Sequence, residues 1–489
     1  MSPSSADPHH ARRWLILGVI GIAQLLVVLD VTIVNIALPS AQQELRFSDD
    51  SRQWVITAYA LAFGSLLLIG GRIADLFGRK WTFLAGLLGF AGASALGGAA
   101  QSFGLLVGAR ALQGAFAALL APAALSLLAA TFTDPAERGK AFGVFGAIAG
   151  AGGAFGLLLG GALTELLDWR WCLYVSILFA VPAALAGLRL LHHVPVSSRP
   201  RLDIPGTLAA SSGLFTLVFG LARAETDGWG DPTTVGFLLA SAVLLSGFVL
   251  LQLRVSNPLL PLRVVGDRNR GASYLAIGML FAGMFGVFLF LTFYLQRTKG
   301  MTALETGFAF LPMNLSIIAT ATIVNTRMLA RTGPKPLVPA GMALAALAMA
   351  LLTRIGVDTG YASHVLPSLI LAGVGFGLII APSIATATLG VPPRDLGVAS
   401  AMVNTSQQVG GSIGTALLST LAASATTDFI VAHGRAPEVV RQADVEGYVT
   451  AFWWTAGIFL LGALVTGSLL RPGVQPVHAH GAAEPAVAH

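Results

Sequence analysis

The chain contains a long series of apolar segments, and each segment is long enough to cross a membrane. A helix of about 20 apolar residues spans the roughly 30 Å hydrocarbon core of a bilayer, and fourteen such segments follow one another among the 489 residues. Only 11% of the residues are charged and the mean hydropathy is +0.77, whereas about a quarter of a typical soluble chain is charged. The sequence therefore predicts an all-α polytopic membrane protein. The predicted spans are 14–38, 53–71, 81–100, 103–130, 141–164, 170–191, 204–222, 233–253, 271–295, 304–326, 336–355, 364–390, 396–424 and 448–470.

The distribution of basic residues between the spans predicts the orientation. With a cytoplasmic N-terminus, the inner segments hold 19 of the 29 Arg and Lys residues, the outer segments hold 9, and one lies within the fourth span. An excess of basic residues marks cytoplasmic loops, so we expect a cell-membrane protein with both termini in the cytoplasm. We therefore attribute the net charge of +6 to the basic residues of the cytoplasmic loops rather than to a nucleic-acid-binding surface. The single Cys172 excludes an intramolecular disulfide and a multi-cysteine metal site.

Two parts of the chain share a spacing of residues. Segment 71–80, after the second span, places Arg, Gly and Lys at the same intervals as segment 325–335, after the tenth span. Spans 1–6 and 9–14 are therefore predicted to form two related six-helix bundles, with spans 7 and 8 as extra central spans. The predicted divisions are a cytoplasmic N-terminus at 1–13, a first bundle at 14–192, a linker with spans 7 and 8 at 193–254, a second bundle at 255–470, a disordered cytoplasmic tail at 471–489 and, within the second bundle, a long outer loop at 426–447.

Asp30 in the first span and Arg110 in the fourth are the two charged residues that lie well inside apolar segments. A charge at membrane depth costs about 2.5–3.5 kcal/mol on insertion scales, and such residues usually have a function. Because a carboxylate removed from water binds a proton more readily, we interpret Asp30 as a proton carrier and Arg110 as the group that tunes or receives it. A permanent ion pair with a structural role is the alternative.

The turn between the second and third spans carries a distinctive order of glycines and charges. Its glycines permit a tight turn. Asp75 can pair with Arg79, or it can face a helix N-terminus across the bundle interface, where a negative charge is favourable. The simpler alternative is a basic helix end on the cytoplasmic side. The residues that make up this pattern are Gly71, Arg72, Asp75, Gly78, Arg79 and Lys80.

Two further segments are rich in small residues, which suit helix interfaces rather than lipid contact. In the fourth span a single helical stripe contains Arg110, Gln113, Gly114, Ala117 and Ala121. In the fifth span the glycines that permit close backbone approach are Gly146, Gly150, Gly153, Gly156, Gly160 and Gly161.

Together these motifs resemble the major facilitator superfamily, and more narrowly its fourteen-span drug:proton antiporter branch, over almost the whole chain. The resemblance implies that Asp30 faces a central cavity, that Arg110 belongs to the proton-coupling machinery, and that segment 71–80 closes the cytoplasmic gate. It also implies alternating access between the two bundles. The fifth span departs from the family pattern, because Gly153 and Leu157 stand where relatives usually carry proline.

The polar residues of the spans suggest what a central cavity could bind. The candidates are Asn35, Tyr59, Gln113, Asn314, Asn404, Gln407 and Gln408. Since the second bundle has no acidic residue deep in a span, we expect a neutral, zwitterionic or mono-cationic amphiphile, rather than a dication, as substrate.

The leading hypothesis is a proton-coupled exporter of hydrophobic drugs or antibiotics. Its expected partners are a small hydrophobic substrate, protons and the lipid bilayer, and it is expected to be a monomer that requires no metal or cofactor. One alternative is a dedicated exporter of one endogenous natural product or metabolite. Another is a non-transporting membrane receptor or assembly partner. An enzyme is disfavoured because the sequence shows no nucleophile–base or metal-ligand cluster.

Overall fold

The computed structural model describes residues 8–47, 49–132, 134–191, 203–256 and 258–473, and these residues form helices without β-strands. In a bilayer every backbone polar group must find a partner within the protein, which a helix provides within a single segment. Thirteen of the described helices are long and apolar enough to cross a membrane. A further helix, Pro135–Leu166, contains the predicted span 141–164, which carries no charged residue.

We number the fourteen long helices in chain order. They are α1 (Pro8–Leu45), α2 (Asp49–Phe77), α3 (Arg79–Gly98), α4 (Phe103–Thr131), α5 (Pro135–Leu166), α6 (Trp171–Leu190), α7 (Ile204–Thr226), α8 (Pro232–Gln252), α9 (Arg268–Phe293), α10 (Ala303–Ile323), α11 (Pro334–Leu352), α12 (Leu366–Ala387), α13 (Leu396–His433) and α14 (Pro437–Leu469). Wider π-helical turns extend α9 through Tyr294–Thr298 and α10 through Val324–Met328, and another, Tyr361–Val365, precedes α12. Short helical turns lie at Leu262–Val265, Leu329–Thr332 and Pro393–Asp395.

The helices pack as two groups with a hairpin beside them. Helices α1–α6 pack on one another, and so do α9–α14. The two groups meet along two seams: α2 and α4 pack against α13, and α5 packs against α10 and α12. The α7–α8 hairpin packs against α2 and α13, so it covers one of these two seams. Leu239 and Val243 on α8 are 63% and 72% exposed, which suits a helix that faces lipid.

The prediction of a long polar loop at 426–447 is wrong. Helix α13 continues to His433, and α14 begins at Pro437. Gly434, with φ of 90°, ends α13 in the left-handed conformation that glycine adopts without strain. Hydropathy reports which residues lie at membrane depth, whereas a helix can continue into water with polar side chains.

Several other predicted boundaries also lie inside helices or outside the described residues. Helix α1 already begins at Pro8, within the predicted N-terminal segment 1–13, whose residues 1–7 lie outside the described part. The start of the predicted linker, 193–202, and residues 474–489 of the predicted tail also lie outside it.

A buried polar cluster anchors the α7–α8 hairpin. One oxygen of Asp203, Oδ1, accepts a hydrogen bond from the Gly206 amide at 2.9 Å, at the start of α7. The other, Oδ2, accepts from Gln252 Nε2 at 2.8 Å, at the end of α8, and from the Leu259 amide at 3.4 Å. Gln252 Oε1 in turn accepts from the Leu260 amide at 2.9 Å. Both ends of the hairpin are therefore tied to the segment that leads into the second bundle.

We expect Asp203→Ala to destabilise the protein, because it leaves the amide of Gly206 and the side-chain amide of Gln252 buried without an acceptor. Each stranded buried donor costs roughly 1–3 kcal/mol. Thermal unfolding of the detergent-purified protein measures the effect. Asp231→Ala is the matched control, since Asp231 caps the start of α8 through the Thr234 amide at 2.9 Å but is only half-buried. An equal loss of stability in both variants would contradict the role of the cluster.

Candidate functional site

Asp30 and Arg110 form a buried ion pair between α1 and α4. Arg110 Nη1 donates a hydrogen bond to Asp30 Oδ2 at 2.5 Å, and the two side chains are 2% and 0% exposed. Arg110 Nε donates to the backbone carbonyl of Val55 in α2 at 3.2 Å. The guanidinium carbon lies 4.6 Å from the centre of the Tyr59 ring, so a second residue of α2 holds the charge through a cation–π contact.

Gln113, one turn after Arg110 on α4, completes the cluster. Its Nε2 donates to Asp30 Oδ1 at 3.0 Å and to Ser94 Oγ at 2.7 Å, while its Oε1 accepts from Arg110 Nη1 at 2.8 Å. We call Asp30, Arg110, Gln113 and Ser94 the Asp30 network. Three helices, α1, α3 and α4, contribute its side chains.

The small residues of α4 explain why α2 can reach this network. A Cβ atom placed on Gly114 would lie 2.4 Å from the backbone oxygen of Tyr59, which is far too close for any larger residue. The glycine therefore lets α2 and α4 approach, and this approach brings the Val55 carbonyl and the Tyr59 ring to Arg110. The predicted stripe on α4 is a helix interface in the structure, since Gln113, Gly114, Ala117 and Ala121 are all buried.

The network has a clear electrostatic consequence. The carboxylate compensates the charge of Arg110 at a place that water does not reach. Removing one charge of a buried pair is strongly destabilising, by about 3–5 kcal/mol, because the other charge is left without compensation. If the charge of Asp30 were removed, the remaining described partners of Arg110 would all be neutral, and the conformation shown here would become less favourable.

Asp75 holds the two bundles together at one end of the protein. Its Oδ1 accepts from the Gly397 amide at 2.9 Å and its Oδ2 accepts from the Val398 amide at 3.2 Å. These amides begin α13, where the positive end of the helix dipole favours an anion. The structure thus shows the helix N-terminus as a partner of Asp75, and Arg79 also lies near enough for a favourable charge interaction with it. We call this end, where residues 72–80, 134–140 and 388–398 lie, the basic end.

Gly71 lies one turn before Asp75 on α2, and its lack of a side chain lets α2 approach α13 closely. A Cβ on Gly71 would lie 2.5 Å from the Gly397 oxygen and 2.6 Å from Ala401 Cβ. The neighbouring predicted residues have separate roles: Gly78 adopts φ of 95° between α2 and α3, and Lys80 Nζ donates to the Leu188 carbonyl at 2.9 Å. Arg72, near the end of α2, is buried, and Arg79 is the first residue of α3.

A second contact between the bundles lies at the basic end, and the sequence did not reveal it. Arg138 Nη2 at the start of α5 donates to Thr388 Oγ1, just past the end of α12, at 2.8 Å. Its Nη1 donates to the Ala129 carbonyl at 3.2 Å, and its guanidinium carbon lies 4.8 Å from the Phe142 ring centre. Contacts on both seams therefore close the basic end.

The glycines of the fifth span differ in what they contact. A Cβ on Gly156 would lie 1.9 Å from Thr32 Oγ1, and one on Gly160 would lie 2.9 Å from Ile33 Cγ1. These two glycines let α5 pack closely on α1, next to Asp30. A third, Gly152, contacts α1 in the same way and was not predicted. Gly146 and Gly153 have only ordinary contacts, Gly161 faces open space, and the surroundings of Gly150 lie outside the described residues.

The other cavity candidates are dispersed. Tyr59 and Gln113 lie at the Asp30 network. Asn314 on α10 and Asn404 on α13 are buried, and each donates to a carbonyl of its own helix, at 3.0 and 2.9 Å. Gln407 and Gln408 are half-buried on α13, and the side chain of Asn35 lies outside the described residues.

We expect Gly71→Ala to open the basic end, because the added methyl group has no space between α2 and α13. Overpacking costs about 1–3 kcal/mol, so the ratio of open to closed molecules should rise at least about fivefold. Electron–electron distance measurements between spin labels at Phe77 and Arg394, which are 63% and 73% exposed, report the change. The native Cys172 is buried.

Gly92→Ala is the matched control for this variant, since a Cβ there meets no atom within 4 Å. It should leave the distance distribution unchanged. If Gly71→Ala also leaves it unchanged, the close approach of α2 and α13 does not hold the basic end shut.

Two related helical bundles that meet along two seams are an arrangement typical of secondary membrane transporters. The family model described as Major Facilitator Superfamily matches residues 20–415. The chain belongs to this superfamily, and the resemblance inferred from the motifs is confirmed.

Relatives and a solved structure agree with this placement. The chain is 50% identical over 475 residues to the puromycin resistance protein pur8 of Streptomyces alboniger, covering 96% of this chain and 94% of that protein. It is 37% identical over 410 residues to the cephamycin export protein CmcT of Amycolatopsis lactamdurans, covering 83% and 84%. The human organic anion transporter MFSD10 has a similar fold, with a TM-score of 0.66 at 17% identity over 94% of this chain and all of that one.

Proposed function

We propose that the protein exports hydrophobic antibiotics or drugs in exchange for protons, with Asp30 as the residue that binds the proton. The observation that carries the proposal is the buried ion pair of Asp30 and Arg110, at 2.5 Å and with both side chains almost inaccessible. A permanent structural pair would be costly in the interior of a bundle. A pair that protonation can break gives the protein a means to couple proton binding to a change of conformation.

The closed basic end supports a transport cycle with two states. Asp75 and Arg138 join the bundles on opposite seams at this end. We place the basic end in the cytoplasm of a cell membrane, because basic residues concentrate there. The described conformation is then the one that is closed toward the cytoplasm. Loading Asp30 from the outside weakens this conformation, and the inward-facing state accepts the substrate.

The energy available is adequate for export. A proton that crosses 100 mV releases about 2.3 kcal/mol, and a tenfold concentration ratio requires about 1.4 kcal/mol. For a substrate without net charge, one proton can therefore support a gradient of roughly fiftyfold from the electrical component alone.

The substrate class is proposed from the relatives and from the second bundle. The relatives above are named for resistance to puromycin and for export of cephamycin. The absence of acidic residues deep in spans 9–14 fits neutral, zwitterionic or mono-cationic compounds. Puromycin is the first compound to test. A dedicated exporter of one natural product remains the second candidate, because each of these relatives is named for a single antibiotic.

We expect Asp30→Asn to abolish proton-driven accumulation of puromycin in inverted membrane vesicles while leaving the folded protein in the membrane. The amide keeps the size of the carboxyl group but cannot exchange a proton. Substrate uptake after an imposed pH gradient, together with the amount of folded protein, measures this effect. Glu165→Gln is the matched control, since Glu165 is an exposed carboxylate of the same bundle, and it should transport as the unmodified protein does.

Two results would change the proposal. Full uphill transport by Asp30→Asn would show that another group carries the proton. Transport of one compound from a panel of unrelated antibiotics would favour the dedicated exporter, whereas transport of several would favour a multidrug exporter. Proton release without any transported compound would contradict both.

A further inference from the structure

Ser94 belongs to none of the sequence motifs, yet its hydroxyl group closes the Asp30 network from α3. The residue is 0% exposed. Its Oγ accepts a hydrogen bond from Gln113 Nε2 at 2.7 Å, the shortest of the three bonds that Gln113 makes in the network. Ser94 therefore connects α3, through Gln113, to the charged pair of Asp30 on α1 and Arg110 on α4.

The charges on either side fix how the Gln113 amide is oriented. A primary amide has two N–H donors on its nitrogen and an oxygen that only accepts. In the structure the oxygen faces the guanidinium of Arg110 and the nitrogen faces the carboxylate of Asp30. A reversed amide would place like charges together at both positions. The nitrogen uses one N–H for Asp30 and the other for Ser94, so both donors have an acceptor.

We propose that Ser94 is a positioning residue for proton binding, which holds the Gln113 amide so that it stabilises the ionised carboxylate of Asp30. This inference rests on the proposed role of Asp30 as the proton carrier. A hydrogen bond donated to a carboxylate favours its ionised form. Without Ser94 a buried N–H of Gln113 has lost its acceptor, and an unpaired buried donor is unfavourable. The charges on either side keep the amide in its orientation, but without the anchor on α3 it shifts in position, its bond to Asp30 weakens, and Asp30 takes up its proton at a higher pH.

The test is an infrared titration of the purified full-length protein in lipid, with Ser94→Ala. The band of a protonated carboxyl group that is present in the unmodified protein and missing in Asp30→Asn reports the protonation of Asp30 directly. We expect its midpoint in Ser94→Ala to move upward by about half a pH unit or more. The pH dependence of puromycin transport in vesicles should move in the same direction.

Ser126→Ala is the matched control. Ser126 is also 0% exposed in this bundle, but its Oγ donates to the Ala123 carbonyl of its own helix at 3.1 Å. It loses a buried hydroxyl group without a contact to the network, so a purely structural effect would appear in both variants. We expect the midpoint to be unchanged in Ser126→Ala and close to that of the unmodified protein in Ser94→Thr, which keeps the hydroxyl group.

A double variant tests whether Ser94 acts through Gln113. In a Gln113→Met background there is no amide to hold, so adding Ser94→Ala should cause no further shift of the midpoint. Four results would each overturn the proposal. They are an unchanged midpoint in Ser94→Ala, a shift in Ser126→Ala equal to that in Ser94→Ala, an equally large shift in Ser94→Thr, and an additive shift in the double variant. If Asp30→Asn leaves every carboxyl band and proton-driven transport intact, the proposed function itself fails. If it removes them and Ser94→Ala changes nothing, only the role of Ser94 fails.

Discussion

The ion pair of Asp30 and Arg110 is the interaction around which the first bundle is arranged. A charged pair in the interior of a membrane protein is favourable only where its remaining hydrogen-bonding groups also find partners. Here the Val55 carbonyl, the Tyr59 ring and the Gln113 amide provide them. Val55 and Tyr59 come from α2 and Asp30 itself comes from α1, and both helices must approach closely. This explains why small residues line the sides of α4 and α5 that face them.

The glycines illustrate how packing serves the charged site. Gly114 admits α2 to within contact of Arg110, and Gly156 and Gly160 admit α1 to α5 next to Asp30. In lipid no hydrophobic force draws helices together, so close van der Waals contact between small residues is a principal source of association. The same residues that let the helices associate therefore also set the distances on which the ion pair depends.

The sequence predicted the helices, their grouping by motif and the two charged residues, because these depend on local properties. Length, apolarity and the cost of a buried charge can be read one residue at a time. The prediction failed at 426–447, where helices α13 and α14 extend past their apolar segments.

The sequence could not identify Ser94, the Val55 carbonyl or the contact of Arg138 with Thr388. A serine in an apolar span resembles any other small residue, and a backbone carbonyl has no sequence signal. The role of Arg138 depends on a residue 250 positions away. Contacts of this kind follow from how whole helices pack, so only the assembled structure shows them.

Helix α2 connects the two parts of the proposed cycle. Near one end it supplies both the Val55 carbonyl and the Tyr59 ring to Arg110, and near the other it carries Asp75, which caps α13. The 20 residues from Val55 to Asp75 correspond to about 30 Å of helix at 1.5 Å per residue. The described part of α2 is one continuous helix without an internal proline. It contains Gly64-Ser65 and Gly70-Gly71 between the two sites, and Gly/Ser pairs are among the places where helices bend. A displacement of Arg110 therefore acts on the same continuous helix that closes the basic end. In the cycle proposed above, this helix links protonation of Asp30 to the basic end without any contact between the two sites.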